Sequence, residues 1–214
     1  MAVMTQMKLT IRAKNKRNSI VVLDEIEWGV LPVGTLRHLF PFGDELEIEP
    51  DEVELLKKEL EKNAWSMLVG YLAKAEHSAL QSRRYLQRHS FHKSIIEPCI
   101  ELCIQKKYID DRRFAQIYVQ NYLQKGKSRR YVVQKLYEFG IGSDVTEELV
   151  TELSDGELSA SLLKEQIVRL LHKHKNEEPY KRKEKTFSSL YRKGFSMDEI
   201  APVWHELVRG DDDV

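Results

Sequence analysis

The sequence is poor in the residues that punctuate and cross-link a chain. Its 214 residues include 2 cysteines, 6 prolines and 10 glycines, and so few turn formers argue for helices and against a turn-rich all-β fold. Cys99 and Cys103 stand four apart in a helical pattern. That spacing puts both thiols on one face without suiting a disulfide, and a metal site would need two further ligands. The nearest histidines, His89 and His92, lie across an expected helix break, so the cysteines read as small buried thiols. No apolar run approaches the ~18 residues of a membrane span and no signal-peptide core opens the chain; a cytoplasmic protein without a membrane partner is expected. Catalytic signatures are missing too: no glycine-rich phosphate loop ending in Lys-Ser/Thr, no His-Glu-x-x-His, no Gly-x-Ser-x-Gly. His172 and His174, two apart on a helix, face different directions. Neither an enzyme nor a cofactor is expected.

Net charge is also absent, with 34 Lys and Arg against 34 Asp and Glu, but that zero is an average. From Ala64 to Lys135 there are 14 basic and 5 acidic residues, and from Lys164 to Lys193 there are 10 and 4. The acids gather in residues 1–63, with 12 against 9 basic residues, and in the tail Asp211, Asp212, Asp213. A chain polarised in this way can present a basic surface to nucleic acid or to an acidic protein groove without a high overall pI; solvated helix faces are the plainer reading.

Residues 8–31 alternate as strands, with Lys8–Arg12, Ser19–Leu23 and Ile26–Val30, the last two joined by Asp24-Glu25 as a short hairpin connection. Such a hairpin is marginal unless it packs on something. Phe42-Gly43-Asp44-Glu45 is turn-like. Pro50 then suits the first position of a helix whose opening turn carries Asp51 and Glu52. Beyond it apolar residues recur at three- and four-residue steps to Leu207. Asp110 or Asp111, Ser128 and Ser143 are expected caps, Ser159 and Ser196 precede further stripes, and Pro179 can open another helix.

Three helix ends align. Leu86-Gln-Arg-His-Ser90-Phe91, Leu136-Tyr-Glu-Phe-Gly140-Ile141 and Leu190-Tyr-Arg-Lys-Gly194-Phe195 each have a leucine, three residues, a small residue and an apolar one, followed by a fresh stripe at Ile95, Val145 or Ile200. A Schellman turn explains the spacing: the small residue turns left-handed and the apolar one folds back on the helix. Ser90 is the exception, since a side chain is costly there. The pattern predicts a mainly α chain of tandem three-helix modules forming an elongated, curved solenoid behind a small β-hairpin region. The expected divisions are a β-containing extension with an acidic helix at 1–63, and modules at 64–109, 110–155 and 156–214, the last with the acidic tail.

The run Lys107-Tyr108-Ile109-Asp110-Asp111-Arg112-Arg113-Phe114-Ala115 resembles the diagnostic stretch of the RecX family, regulators of the RecA recombinase. The resemblance continues through Tyr122–Arg130 and Leu136–Ile141 and closes with Arg192-Lys193-Gly194-Phe195-Ser196; it covers residues 64–209, with weaker signals over 1–63. His89-Ser90 departs from the family's usual glycine, and Pro98 falls inside a helix that it should kink or delay. Asp110, Asp111, Phe114, Ala115, Gly140 and Gly194 read as structural motif positions. The family likeness implies a protein that lies in the groove of the RecA filament on single-stranded DNA, restrains ATPase, strand exchange and filament extension, and acts in the SOS response, DNA repair and homologous recombination.

The basic residues lie on the same helix of each expected module: Arg83, Arg84 and Arg88 in the first; Lys125, Lys127, Arg129, Arg130 and Lys135 in the second; Lys181, Arg182, Lys185, Arg192 and Lys193 in the third. Together they are the candidate strip for recombinase and DNA contact on a monomer, with single-stranded DNA met indirectly or weakly. Two rivals remain at this level. A duplex-DNA binder would need a recognition helix with base-reading side chains, and a passive α-solenoid scaffold would need apolar groove anchors.

Overall fold

A computed structural model describes residues 6–41, 43–153 and 156–209; the acidic tail Asp211, Asp212, Asp213 and Phe42 of the expected turn lie outside these. The chain divides into two compact units, residues 1–110 and 111–214.

In the first unit, β1 (Met7–Ala13), β2 (Asn18–Leu23) and β3 (Ile26–Pro32) form the expected strands. Asp24 and Glu25 both take positive φ, 46° and 68°, the two-residue connection whose twist matches the flanking strands. The Asp24 carboxylate accepts from the Lys8 backbone N–H at 2.9 Å, tying the turn to β1. A short helix α1 (Val33–Leu39) leads to β4 (Glu45–Ile48), which pairs antiparallel with β1 and completes a sheet of order β3-β2-β1-β4. Neither α1 nor β4 was expected from the sequence.

Helix α2 (Pro50–Leu72) starts at Pro50, as expected, inside a capping box between Glu49 and Glu52. It runs unbroken across the 63/64 division drawn from the sequence. The buried stripe Val53, Leu56, Leu60, Ala64, Leu68 keeps three- and four-residue steps through that point, so nothing local ends the helix there. With α3 (Ala79–Arg88) and α4 (Lys93–Gln105) it shares one apolar core with the sheet, in which Leu9, Val21, Leu23, Leu31 and Ile48 meet Leu56, Leu60, Leu86, Ile95 and Ile100. Each fully buried side chain of this kind contributes about 1.5–3 kcal/mol. Gly29 allows the close approach: its φ is +151°, and a Cβ there would stand 2.5 Å from a Phe91 ring carbon. The Trp28 carbonyl accepts from His92 N at 3.1 Å, and the two rings stack 4.8 Å apart. The expected hairpin therefore packs on module one.

Pro98 lies within α4 without delaying its start at Lys93. It is the sixth residue of that helix, and Pro202 is the sixth of α10 (Met197–Arg209), so module three carries a proline at the same helical position. Cys99 and Cys103 are free and buried, and burial pushes both thiols up to about 11.

The second unit holds α5 (Asp111–Gln124), α6 (Arg129–Glu138), α7 (Ser143–Leu153), α8 (Gly156–Lys173), α9 (Pro179–Tyr191) and α10. Ser128 caps α6, its Oγ accepting from Tyr131 N at 3.2 Å. Ser196 and Glu199 form a reciprocal box at α10. Ser143 is the first helical residue of α7 and not its cap, because the preceding Gly142 carbonyl already accepts from Thr146 N. Helix α8 begins at Gly156, ahead of the expected Ser159. Two separate apolar cores result: Phe114, Ala115, Val119, Val132, Leu136, Ile141 and Leu149 in one, and Leu163, Ile167, Leu190, Phe195, Ile200 and Trp204 in the other.

The repeat has the geometry its spacing required. Phe91, Ile141 and Phe195 donate N–H to Leu86, Leu136 and Leu190 at 3.2, 3.0 and 3.2 Å, and Ser90, Gly140 and Gly194 donate to Gln87, Tyr137 and Tyr191, each at 2.9 Å. Ser90 holds φ at 63°, beside 79° for Gly140 and 92° for Gly194. Lys107 closes α4 in the same way, with φ 60°.

Candidate functional site

On module one, Arg83 turns inward. Its Nε reaches both Glu97 carboxylate oxygens, at 3.2 and 3.0 Å, and clamps α3 to α4. Arg84 and Arg88 face outward and, with Tyr71, Gln81 and Gln87, line an open groove of about 580 Å³. Beside it His77, Tyr71 and Tyr85 stack at 3.8 and 4.2 Å between successive centroids. His89 stands edge-on to Tyr85 at 4.8 Å. Burial lowers the pKa of His89, and Lys14 and Arg88 lower it further.

Modules two and three bring cations together. Lys125 lies over the Tyr122 ring at 4.8 Å and Lys127 over the Tyr131 ring at 4.2 Å, cation–π contacts that hold long side chains in place. Arg129 donates to Thr151 Oγ1 at 3.2 Å. Arg130, Tyr131, Gln134, Tyr191 and Arg192 line a groove of about 310 Å³ between α6 and the α9–α10 turn. The backbone joins the modules there: Ser128 N donates to Lys193 O at 3.0 Å, and Lys127 Nζ reaches Arg192 O at 3.4 Å. Lys193 is half-buried and donates to Gln166 Oε1. Its pKa is lowered by burial, then by Lys127 and Arg169.

Other members of the candidate strip carry a carboxylate partner. Lys135 pairs with Glu138 at 2.5 Å and Lys185 with Glu177. The hydrogen bond and charge of Glu138 raise the Lys135 pKa, while Lys135 lowers that of Glu138. Lys181 is exposed on α9 and Arg182 half-exposed, its backbone carbonyl accepting from Thr186 Oγ1 at 2.8 Å. With Leu86, Leu136 and Leu190 superposed, Arg88 falls on Glu138 and Arg192, and Arg84 on Gln134 and Ser188. The basic charge thus recurs by helix and not by position.

Among the motif residues, Phe114 and Ala115 are buried in the module-two core and Asp111 opens α5. One turn of that helix is fixed by Arg112, which grips the Glu148 carboxylate at 2.8 and 2.7 Å. Gln166 and Arg169 at the junction escape a reading of the sequence, since their part depends on α8 reaching the turn after α5; Gly126, whose Cβ would stand 2.4 Å from the Gln166 side chain, is the one local signal.

A family model described as the second three-helix domain of RecX matches residues 110–149, and one for the third three-helix domain matches residues 159–204. The chain belongs to the RecX family. It is similar to the regulatory protein RecX of Staphylococcus aureus strains JH9 and Newman, 28% identical over 204 residues, which cover 94% of this chain and 73% of each relative. A crystal structure of a regulatory protein RecX superposes with a TM-score of 0.59 at 21% identity, over 93% of this chain and 99% of the other. RecX from Lactobacillus salivarius gives 0.55 at 21% identity, over 69% and 96%. At that identity the likeness is one of fold: a mainly helical RecX chain of three-helix domains with a small antiparallel sheet. Among the described residues no helix is long and apolar enough to cross a membrane, and no group of three or more His, Cys, Asp or Glu could hold a metal ion.

Proposed function

We propose that this chain is a non-catalytic regulator of the RecA recombinase. It binds the filament in its groove, near single-stranded DNA, and inhibits ATP turnover, strand exchange and filament extension. It acts in the cytoplasm as a monomer, and inhibition is steric and conformational, with no bond made or broken. The observation that carries this reading is the pair of family matches on modules two and three. The basic residues converging where those modules meet supply a surface of the right charge, and binding through Lys and Arg to a polyanion weakens steeply with salt.

The test is recombinase ATPase on single-stranded DNA. Wild-type protein is expected to suppress turnover, and the triple reversal Lys127→Glu, Arg130→Glu, Arg192→Glu to lose most of that suppression. Full suppression by the triple variant would remove the junction as the contact surface. No suppression by the wild type would overturn inhibition itself.

A further inference from the structure

The junction of modules two and three separates the candidate strip into two kinds of cation. Arg83, Lys135 and Lys185 each hold a carboxylate of their own, from Glu97, Glu138 and Glu177, so a polyanion arriving there must displace an existing partner. Lys127 and Lys193 instead donate to uncharged oxygens, the Arg192 carbonyl and the Gln166 amide. They flank the Ser128 N to Lys193 O bond, which fixes their backbones side by side. Gln166, only 5% exposed, holds Lys193 from the α8 side, and Arg169 lies one helical step beyond Gln166 on the same face. The carboxylate known at this point is that of Glu165, 2.6 Å from Arg169. Arg169 commits one guanidinium nitrogen to that carboxylate, whereas among the described residues Lys127 and Lys193 hold no carboxylate. Burial lowers the pKa of Lys193, and the charges of Lys127 and Arg169 lower it further.

We propose that Lys127, Lys193 and Arg169 form a phosphodiester-binding site, occupied by one backbone phosphate of a single-stranded nucleic acid. The inference rests on the nucleic-acid half of the function proposed above and adds Arg169 and Gln166, which lie outside the candidate strip. The phosphate supplies the counter-charge that the uncharged oxygens do not. Gln166 is a positioning residue: buried against the turn at Gly126, it aims the Lys193 ammonium at the site.

Fluorescence anisotropy of a labelled 20-nucleotide oligo(dT) across a salt series tests this. The slope of log K against log salt is expected to flatten by about 0.7 for Lys193→Met, the loss of one single-strand phosphate contact, with affinity at low salt falling about fivefold or more. Lys127→Gln, at a more exposed position, repeats the measurement should Lys193→Met melt early. Lys181→Met, the same charge change away from the junction, is expected to do less than either. Equal slopes for wild type, Lys193→Met, Lys127→Gln and Lys181→Met would overturn the site. Thermal protection by inorganic phosphate equal to that by oligo(dT) at matched phosphate concentration would overturn a nucleic-acid backbone as its occupant. Co-sedimentation with recombinase filaments keeps the two ideas apart. A Lys193→Met protein that co-sediments normally but has the flattened slope supports the phosphate site. One that fails to co-sediment with its slope unchanged overturns the site and leaves the recombinase reading standing.

Discussion

The two units solve the same packing problem differently. In residues 1–110 a four-stranded sheet and four helices converge on one continuous apolar core, and the closest approach is sealed by apolar atoms, Gly29 against Phe91 and Leu60. In residues 111–214 two separate cores meet through polar atoms: Ser128 N to Lys193 O, Lys193 to Gln166, and Gly194 against Ser128 and Tyr131. An apolar seal leaves no room for charge. A polar junction can keep a lysine half-buried and still directed, which is what recognition of an anion requires.

Breaking the apolar seal should have the largest effect. Gly29→Val adds a side chain where a Cβ already overlaps the Phe91 ring and φ is +151°, and overpacking with backbone strain should lower stability by about 3 kcal/mol or more, read as a lower urea midpoint. The polar junction should give way more easily. In Gly126→Ala the clash is with the flexible Gln166 side chain, although φ is +67°; a loss of about 1–2 kcal/mol is expected, with oligonucleotide affinity falling because Lys193 loses its holder. A result as large as that of Gly29→Val would make the junction as rigid as the seal.

Smaller changes sharpen the contrast. Ser90→Gly removes a side chain from a left-handed position at φ 63° and should raise stability by about 0.5–1 kcal/mol; unchanged or lower stability would mean that the Ser90 side chain compensates its own strain. The thiols report on the core of the first unit. With pKa values near 11, Cys99 and Cys103 should resist iodoacetamide at pH 8 and react once urea unfolds the chain. Smallest is a pH effect at the junction. The folded-state pKa of Lys193 is depressed, so near its titration the unfolded chain binds more protons and stability rises with pH from that folded value towards the ordinary lysine range. Lys193→Met should flatten this alkaline rise in thermal melts, whereas Lys181→Met should leave it alone.

What the sequence disclosed follows from how local each cause is. The Schellman turns were legible because their hydrogen bonds span six consecutive residues, and the Asp24-Glu25 turn because two residues set it. Pro50 announced α2, but its far end was misplaced because a change in charge at 63 has no bearing on an apolar stripe that continues through Ala64 and Leu68. Strand β4 escaped notice because Glu45-Leu-Glu-Ile48 becomes a strand only by pairing with β1, 41 residues away at its Met7–Ile48 contact, which the sequence cannot display. The charges of the candidate strip were visible and their partners were not. Arg83 looked like Arg84 until α4 brought Glu97 beside it, and the convergence of Lys127, Lys193 and Arg169 depends on helices remote in sequence.

Ser90 bears on how such modules are counted. The turn after α3 keeps both of its hydrogen bonds with a serine in the left-handed position, and the turn after α4 does so with Lys107. Glycine makes the turn easier to form but does not define it. A search pattern that demands glycine would find two modules where the backbone has three, and would discard the one that carries the sheet; a pattern keyed to the leucine and to the apolar residue five places on recovers all three.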